Sequence, residues 1–288
     1  MGDQAYASSK QEIGNKSLSS SVSASGEAGA QTIWGILSTE SNPLLKEFIE
    51  QNNIANADPD ACFALALSSL LSGKLSSGAE SDLNFFSPFI KYYQDFPHLS
   101  IIAQSDLRAL YDRNPAVHDY GTAFLNFKGY HALQCYRVAH RLWIEQQETA
   151  ARFIQSLISE RWAIDIHPAA VLGERLILDH GTGIVIGETA RVEDDVILFQ
   201  GVTLGGTGKE SGKRHPTVYQ GSVIGAGSKV LGAIEIGRGA KVGAGSVVVK
   251  NVPAFTSVFG NPAQVVGRHT HLPALTFDQS LPAIDYIL

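Results

Sequence analysis

Through the second half of the chain an aliphatic residue returns at every sixth position: Ile166, Leu172, Leu178 and Ile184, then Ile186, Val192, Leu198 and Leu204, then Ile224, Val230, Ile236, Val242 and Val248. On this period apolar side chains drift around an α-helix, whereas six residues hold three full strand alternations and bring the side chain back to the same face. Small or acidic residues follow several anchors (Gly225, Gly237, Gly243, Glu193), and small ones often stand four after (Ala170, Thr182, Ser228, Ala240, Ser246). Both suit tight corners and close stacking of successive turns, the signature of a parallel β-helix. The pattern predicts a coil with three flat faces, a triangular prism.

The register breaks twice. The spacing shrinks to two between Ile184 and Ile186, and GGTGKESGKRHPTVYQG interrupts it between Leu204 and Ile224. An interruption of a strict solenoid has to bulge or loop out, and loops on a rigid scaffold are where function tends to sit. Histidine accompanies both: His180 precedes the first break and His215 lies in the second.

Upstream the period is helical. Leu44, Leu45, Phe48 and Ile49 form one apolar face, and Phe63, Ala64, Leu65, Leu67, Leu70 and Leu71 a broader one, with Asp58 or Asp60 as the cap. Ser105 is read as the cap of SDLRALYDR, and Thr122 to Trp143 as one helix interrupted at Gly129. The fold class is thus α+β: a disordered tail over 1–31, an all-α domain over 32–161, a parallel β-helix with a protruding loop over 162–267, and a flexible C-terminal tail over 268–288. The prism needs a cap at its exposed end, which the helical domain supplies. Its sides carry further apolar residues (Val185, Phe199, Val202, Val247), and a three-faced prism buries such sides in a cyclic trimer.

With 288 residues, 44% of them hydrophobic, the chain can bury a sizeable core. A net charge of -6 argues against nucleic acid and anionic membranes. Cys62 and Cys135 are too few for a disulfide framework, so a reducing, cytoplasmic setting is expected. The first 31 residues lack arginine and contain acids, which disfavours an organellar leader without excluding one.

Four stretches give a more specific reading: NPAVHDYGTAFLNFKGYHALQCYRVAHRLW (114–143), DIHPAAVLGERLILDHGTGIVIGETA (165–190), VTLGGTGKESGKRHP (202–216) and FGNPAQVVG (259–267). Together they resemble the serine acetyltransferases of the hexapeptide-repeat acyltransferase superfamily. The resemblance implies a left-handed β-helix and transfer of acetyl from acetyl-coenzyme A to the hydroxyl of L-serine, giving O-acetylserine for cysteine synthesis. Acetyl-coenzyme A is then a co-substrate, with no permanently bound cofactor and no metal.

A serine hydroxyl is a poor nucleophile at neutral pH, and a histidine near its ordinary pKa of about 6.5 is a fitting base for it. By the resemblance that base is His180, with Asp165 as the carboxylate that fixes its tautomer. Carried over likewise, Asp179 receives the serine ammonium, and Arg214 and His215 the carboxylate. Relatives have aspartate where this chain has Asn114, which accepts a hydrogen bond but brings no charge; Asp112 is a candidate substitute. Gly206, Ala226 and Ala244 are carried over as coenzyme A contacts. Lys241 offers charge to the nucleotide phosphates or else decorates a solvated face.

The family further implies a trimer or a hexamer of two trimers, cysteine as feedback inhibitor, and O-acetylserine sulfhydrylase as a partner taken through a tail that leaves the prism and here ends Tyr286, Ile287, Leu288. Three alternatives stand beside this reading. A γ-type carbonic anhydrase needs two zinc histidines close in sequence, which His167, His180 and His215 do not supply. A hexapeptide acetyltransferase for another acceptor, homoserine or a sugar, and a non-catalytic scaffold for the sulfhydrylase remain.

Overall fold

The computed structural model describes residues 32–54, 58–76, 86–208 and 211–281. The expectations for residues 1–31 and for Tyr286, Ile287 and Leu288 lie outside them. Helices α1 (Ile33–Thr39), α2 (Pro43–Gln51), α3 (Pro59–Leu75), α4 (Phe86–Asp95), α5 (Pro97–Arg113), α6 (Tyr120–Asn126), α7 (Lys128–Ile144) and α8 (Glu148–Trp162) precede the strands. None is long and apolar enough to cross a membrane. Their core is built on Phe63, Phe89, Phe124 and Tyr136, all fully buried.

Local chemistry sets the helix ends. Asp58 caps α3, accepting from the Ala61 N–H at 3.1 Å with Pro59 in the first turn. Ser105 does not start a helix: α5 begins at Pro97, so Ser105 lies within it. The segment from Thr122 is two helices, broken at Phe127 rather than at Gly129. Gly129 serves close approach, since a Cβ there would lie 1.9 Å from the Leu178 carbonyl oxygen. A bare backbone lets α7 press on the first coil beside the functional residues.

The strands wind as a left-handed parallel β-helix. The first face stacks β1 (Asp165–Ile166), β4 (Val185–Ile186), β7 (Thr203–Gly205), β10 (Lys229–Leu231) and β13 (Val247–Val248). The second holds β2 (Val171–Leu172), β5 (Arg191–Val192), β8 (Thr217–Val218) and β11 (Glu235–Ile236). The third runs β3 (Ile177–Asp179), β6 (Ile197–Phe199), β9 (Val223–Ile224), β12 (Lys241–Val242), β14 (Thr256–Gly260) and β15 (Ala263–Arg268), only the last pair being antiparallel.

Register locates the irregularities. Val185 lies opposite Thr203, a coil of eighteen residues, but Asp165 lies opposite Val185, a coil of twenty, and Thr203 opposite Lys229, one of twenty-six. The two extra residues fall between Asp179 and Val185; the ladder partner of Ile166 is therefore Ile186, and Ile184 is a buried corner residue outside the strands. The eight extra fall between Gly205 and Thr217, and the ladder resumes at Val218, an anchor the six-residue count passes over because the loop precedes it.

Two buried ion networks tie the helices to the first coils. Arg113, at the end of α5, meets Asp195 at 2.6 Å, and Asp195 also receives Arg175 Nε at 2.8 Å and Gln220 Nε2 at 3.1 Å. Asp106 is fully buried, accepts from Arg137 and Gln134, and takes the Leu176 N–H at 3.1 Å.

The tail expected to leave the prism instead lies along its third face as far as Leu281. Ala274 is fully buried and its N–H donates to Gly221, Phe277 meets Phe199 edge to face, and Leu281 lies against Gly243. Phe199 and Val202, expected as outward residues, are buried within one chain, whereas Val185 stays partly exposed.

Candidate active site

His180 sits in the corner between the third and first faces, where the two extra residues widen the first coil. Its φ is +56°, a left-handed conformation that costs a non-glycine residue about 1–2 kcal/mol. Such an outlier is retained where the surroundings enforce it, often at functional positions. The turn lifts the imidazole clear of the prism: its side chain is 75% exposed.

The neighbouring Asp179 closes β3 and is buried. Burial raises its pKa above the ordinary 3.8, against the lowering effects of His180 and of hydrogen bonds from Asn114 and the His180 backbone. Asn114 is buried at the C-cap of α5, where its Oδ1 accepts from the Ala116 N–H at 3.0 Å. Because a backbone N–H only donates, the other end of that amide is the NH2 group, which donates to Asp179 Oδ1 at 2.9 Å. Asp179 Oδ2 faces His180 Nε2 at 3.7 Å, too long for a hydrogen bond. Asp112 is exposed on α5.

Asp165, expected to orient His180, does not hydrogen-bond it within one chain. Its N–H donates to Ile184 at 2.9 Å, so it borders the same corner, but its Oδ1 accepts from Gln155 Nε2 at 2.7 Å. Beneath His180 the same edge continues coil by coil: Gly201 N–H donates to Thr182, Gly227 to Gln200 and Gly245 to Ala226, each at 2.8 Å. Ala226 and Ala244 thus line the His180 edge. Lys241 does not present a free charge there. It is buried, and its Nζ donates to Asp278 Oδ2 at 2.9 Å and to the Ser280 carbonyl at 2.6 Å, so the tail already neutralises it.

The protruding loop places Arg214 and His215 at a different corner, between the first and second faces. His215 is largely buried over Gly187, and its Nδ1 meets the Thr189 N–H at 3.1 Å and Oγ1 at 2.9 Å. Burial first, then Arg214 and Lys213, lower its pKa, with Glu188 opposing. Arg214 pairs with Glu188, whose own pKa is lowered chiefly by that hydrogen bond. Gly206 belongs to this edge, as a Cβ there would lie 3.5 Å from His215 Nε2.

The ten residues singled out in the sequence therefore divide. Asn114, Asp165, Asp179, His180, Ala226 and Ala244 gather at or near the third–first edge, with Lys241 on the adjoining third face. Gly206, Arg214 and His215 gather at the first–second edge. The whole first face separates the groups on one chain. The sequence reading missed Glu188, Thr189 and Gly187, although GETA following directly on IVI marks a corner whose carboxylate and hydroxyl must face something. Among the described residues no cluster of three or more His, Cys, Asp or Glu side chains is arranged to hold a metal ion.

Comparison with known proteins shows which proteins the chain and its fold resemble. The family profile described as "Serine acetyltransferase, N-terminal" matches residues 36–135. The serine acetyltransferase of Escherichia coli strain K12 is 46% identical over 222 residues, 77% of this chain and 81% of that protein. Among solved structures, a serine acetyltransferase in complex with cysteine superposes with a TM-score of 0.77 at 41% identity, covering 83% of this chain and 92% of that one. The Brucella abortus enzyme in complex with coenzyme A gives 0.75 at 38% identity, covering 83% and 96%. The Neisseria gonorrhoeae enzyme in complex with serine gives 0.75 at 38%, covering 82% and 98%.

Proposed function

The chain belongs to the serine acetyltransferase family, and from that premise we propose how its residues move acetyl from acetyl-coenzyme A to the hydroxyl of L-serine. It is an acyltransferase, with acetyl-coenzyme A as co-substrate. The observation that carries the mechanism is the division of the site between two edges of one prism. A cyclic trimer sets one edge of each protomer against the other edge of its neighbour, a heterologous contact that closes after three copies.

In that cleft His180, exposed and free of any strong hydrogen bond, takes the serine proton as the oxygen attacks the thioester carbon, then returns it to the departing thiolate. Asp179 Oδ2 faces the ammonium while Asn114 holds Oδ1. Arg214 and His215 of the neighbouring protomer meet the carboxylate, with Glu188 aiming the guanidinium until substrate arrives. Coenzyme A lies down the edge lined by Ala226 and Ala244, and the Gly206 N–H serves the tetrahedral oxyanion. Lys241 can reach a phosphate only by giving up Asp278.

Asp165 orients His180 once its carboxylate exchanges Gln155 for the imidazole. A second assignment has specific support: Asp179 Oδ2 is already 3.7 Å from the ring and takes that task with a small rotation. Asp165→Asn lowering kcat favours the first; unchanged kcat favours the second.

Further proposals follow from the family. Cysteine, a serine analogue, inhibits at the same pocket. Two trimers join through the helices, where Leu44 and Ile101 are exposed. The C-terminus serves O-acetylserine sulfhydrylase, and the buried Cys62 and Cys135, neither of them in a disulfide, fit a reducing, cytoplasmic setting. The reaction is tested by thiol release from acetyl-coenzyme A with L-serine against L-homoserine. Faster turnover of homoserine contradicts the acceptor assigned.

A further inference from the structure

Thr189 is the most fully committed hydroxyl beside the loop. Its Oγ1 accepts from the backbone N–H groups of Arg214 at 3.0 Å and of His215 at 3.1 Å. A hydroxyl has two acceptor positions and one proton, so both acceptor positions are filled and only the proton remains. The remaining contact of Oγ1, 2.9 Å to His215 Nδ1, is therefore donated by Thr189. The Thr189 N–H, which can only donate, points at the same nitrogen from 3.1 Å. Two donors converge on Nδ1, leaving no room for a proton of its own. The ring proton is on Nε2.

The seat beneath the ring is equally specific. A Cβ on Gly187 would lie 2.0 Å from His215 Cδ2 and 2.1 Å from Nε2, so the imidazole rests on bare backbone with Nε2 turned toward Gly206. Around it stand Arg214, Lys213 and Glu188, the charged groups of the loop and of the corner below; burial and the two cations disfavour the imidazolium and prevail over the opposing Glu188.

We infer that Thr189, with Gly187 as the seat, is a positioning residue that fixes His215 as an uncharged Nε2–H donor aimed at an anionic oxygen of the acceptor. This rests on the proposed reading of His215 as a carboxylate contact and deepens it. His215 supplies a neutral hydrogen bond, Arg214 alone supplies positive charge, and His215 cannot exchange roles with His180, because a base working through Nε2 needs that nitrogen bare.

The test uses the full chain labelled with 15N-histidine, with His215 assigned by the signals lost in His215→Gln. At pH 7.5 the expected pattern is a protonated Nε2 and a bare Nδ1, persisting in the neutral form below the ordinary histidine pKa of 6.5. In parallel, Thr189→Val should raise KM for serine by about tenfold, the worth of one hydrogen bond, with kcat changed less than about threefold, and should add the other tautomer to the spectrum. Thr189→Ser, which keeps the hydroxyl, should restore both. A proton on Nδ1 at pH 7.5, or a valine variant with the same serine KM and tautomer as the serine variant, overturns the inference. Should Thr189→Val fail to assemble, the spectrum of the unaltered protein decides. Failure of the acetyltransferase reading looks different: no serine turnover, with the His215 signals still as expected.

Discussion

His180 carries a backbone angle that few non-glycine side chains accept, and it does so where the first coil holds two residues more than the second. An anchor count finds the break but assigns it to a short step between Ile184 and Ile186; only pairing shows that it widens the corner at His180. Replacing His180 with alanine should lower kcat by about 10²- to 10⁴-fold, the usual worth of a positioned base, without changing assembly. A loss under threefold in steady-state turnover contradicts its role. Asp179 gives a prediction of opposite sign for stability. Its folded pKa is raised, so at neutral pH the buried charge is a cost, absent below the ordinary 3.8 and growing as pH rises through the folded value. Asp179→Asn should therefore raise Tm at pH 7, lose that gain near pH 4, and weaken serine binding. Thermal scans at the two pH values and the serine KM check all three. The identity of Asp179 was legible through its neighbours in LDHGTG, but its partner was not: the Asn114 amide arrives from sixty-five positions away, and no local pattern announces such a contact.

Between α5 and the second coil the Arg113–Asp195–Arg175 network carries the contact that brings Asn114 to Asp179. Burial acts to raise the Asp195 pKa, yet hydrogen bonds from Arg175, Arg113 and Gln220 prevail and hold it at about 2. For a depressed carboxylate the stabilisation is complete above the ordinary 3.8 and fades as pH falls toward 2, so Asp195→Asn should cost about 2 kcal/mol at pH 7 and little near pH 2. Denaturant titrations at both pH values should show the difference converge; an equal loss at each contradicts the ionic account. Along the third face the tail is the element that sequence reading misplaced. Prolines and polar residues between its apolar clusters resemble a linker, but Leu272, Ala274 and Phe277 find covered sites on the glycine-lined face, and Asp278 finds Lys241. Asp278→Ala should expose Lys241 and lower KM for acetyl-coenzyme A by about two- to fivefold, as one ion pair no longer competes with the nucleotide phosphates. An unchanged KM contradicts that competition.

The prism was legible at the scale of the whole molecule because every coil repeats the same burial, and the end of the helices at Trp162 is where that repetition takes over. The thirty-five positions between His180 and His215 point, in the sequence itself, to a pocket shared between the loop of one subunit and the coil of its neighbour, but no linear motif shows which corner of a coil each residue reaches. On the proposed mechanism this division of the site makes assembly a condition of activity. If one protomer brings His180 and its neighbour brings Arg214, two chains each inactive for a different reason repair one another when they share a trimer. Differently tagged His180→Ala and Arg214→Ala chains, co-expressed and purified through both tags, are expected to regain about a third of the normal serine-dependent turnover, as every mixed trimer has one intact cleft of its three. Mixed assemblies as inactive as either parent would contradict a site shared between protomers.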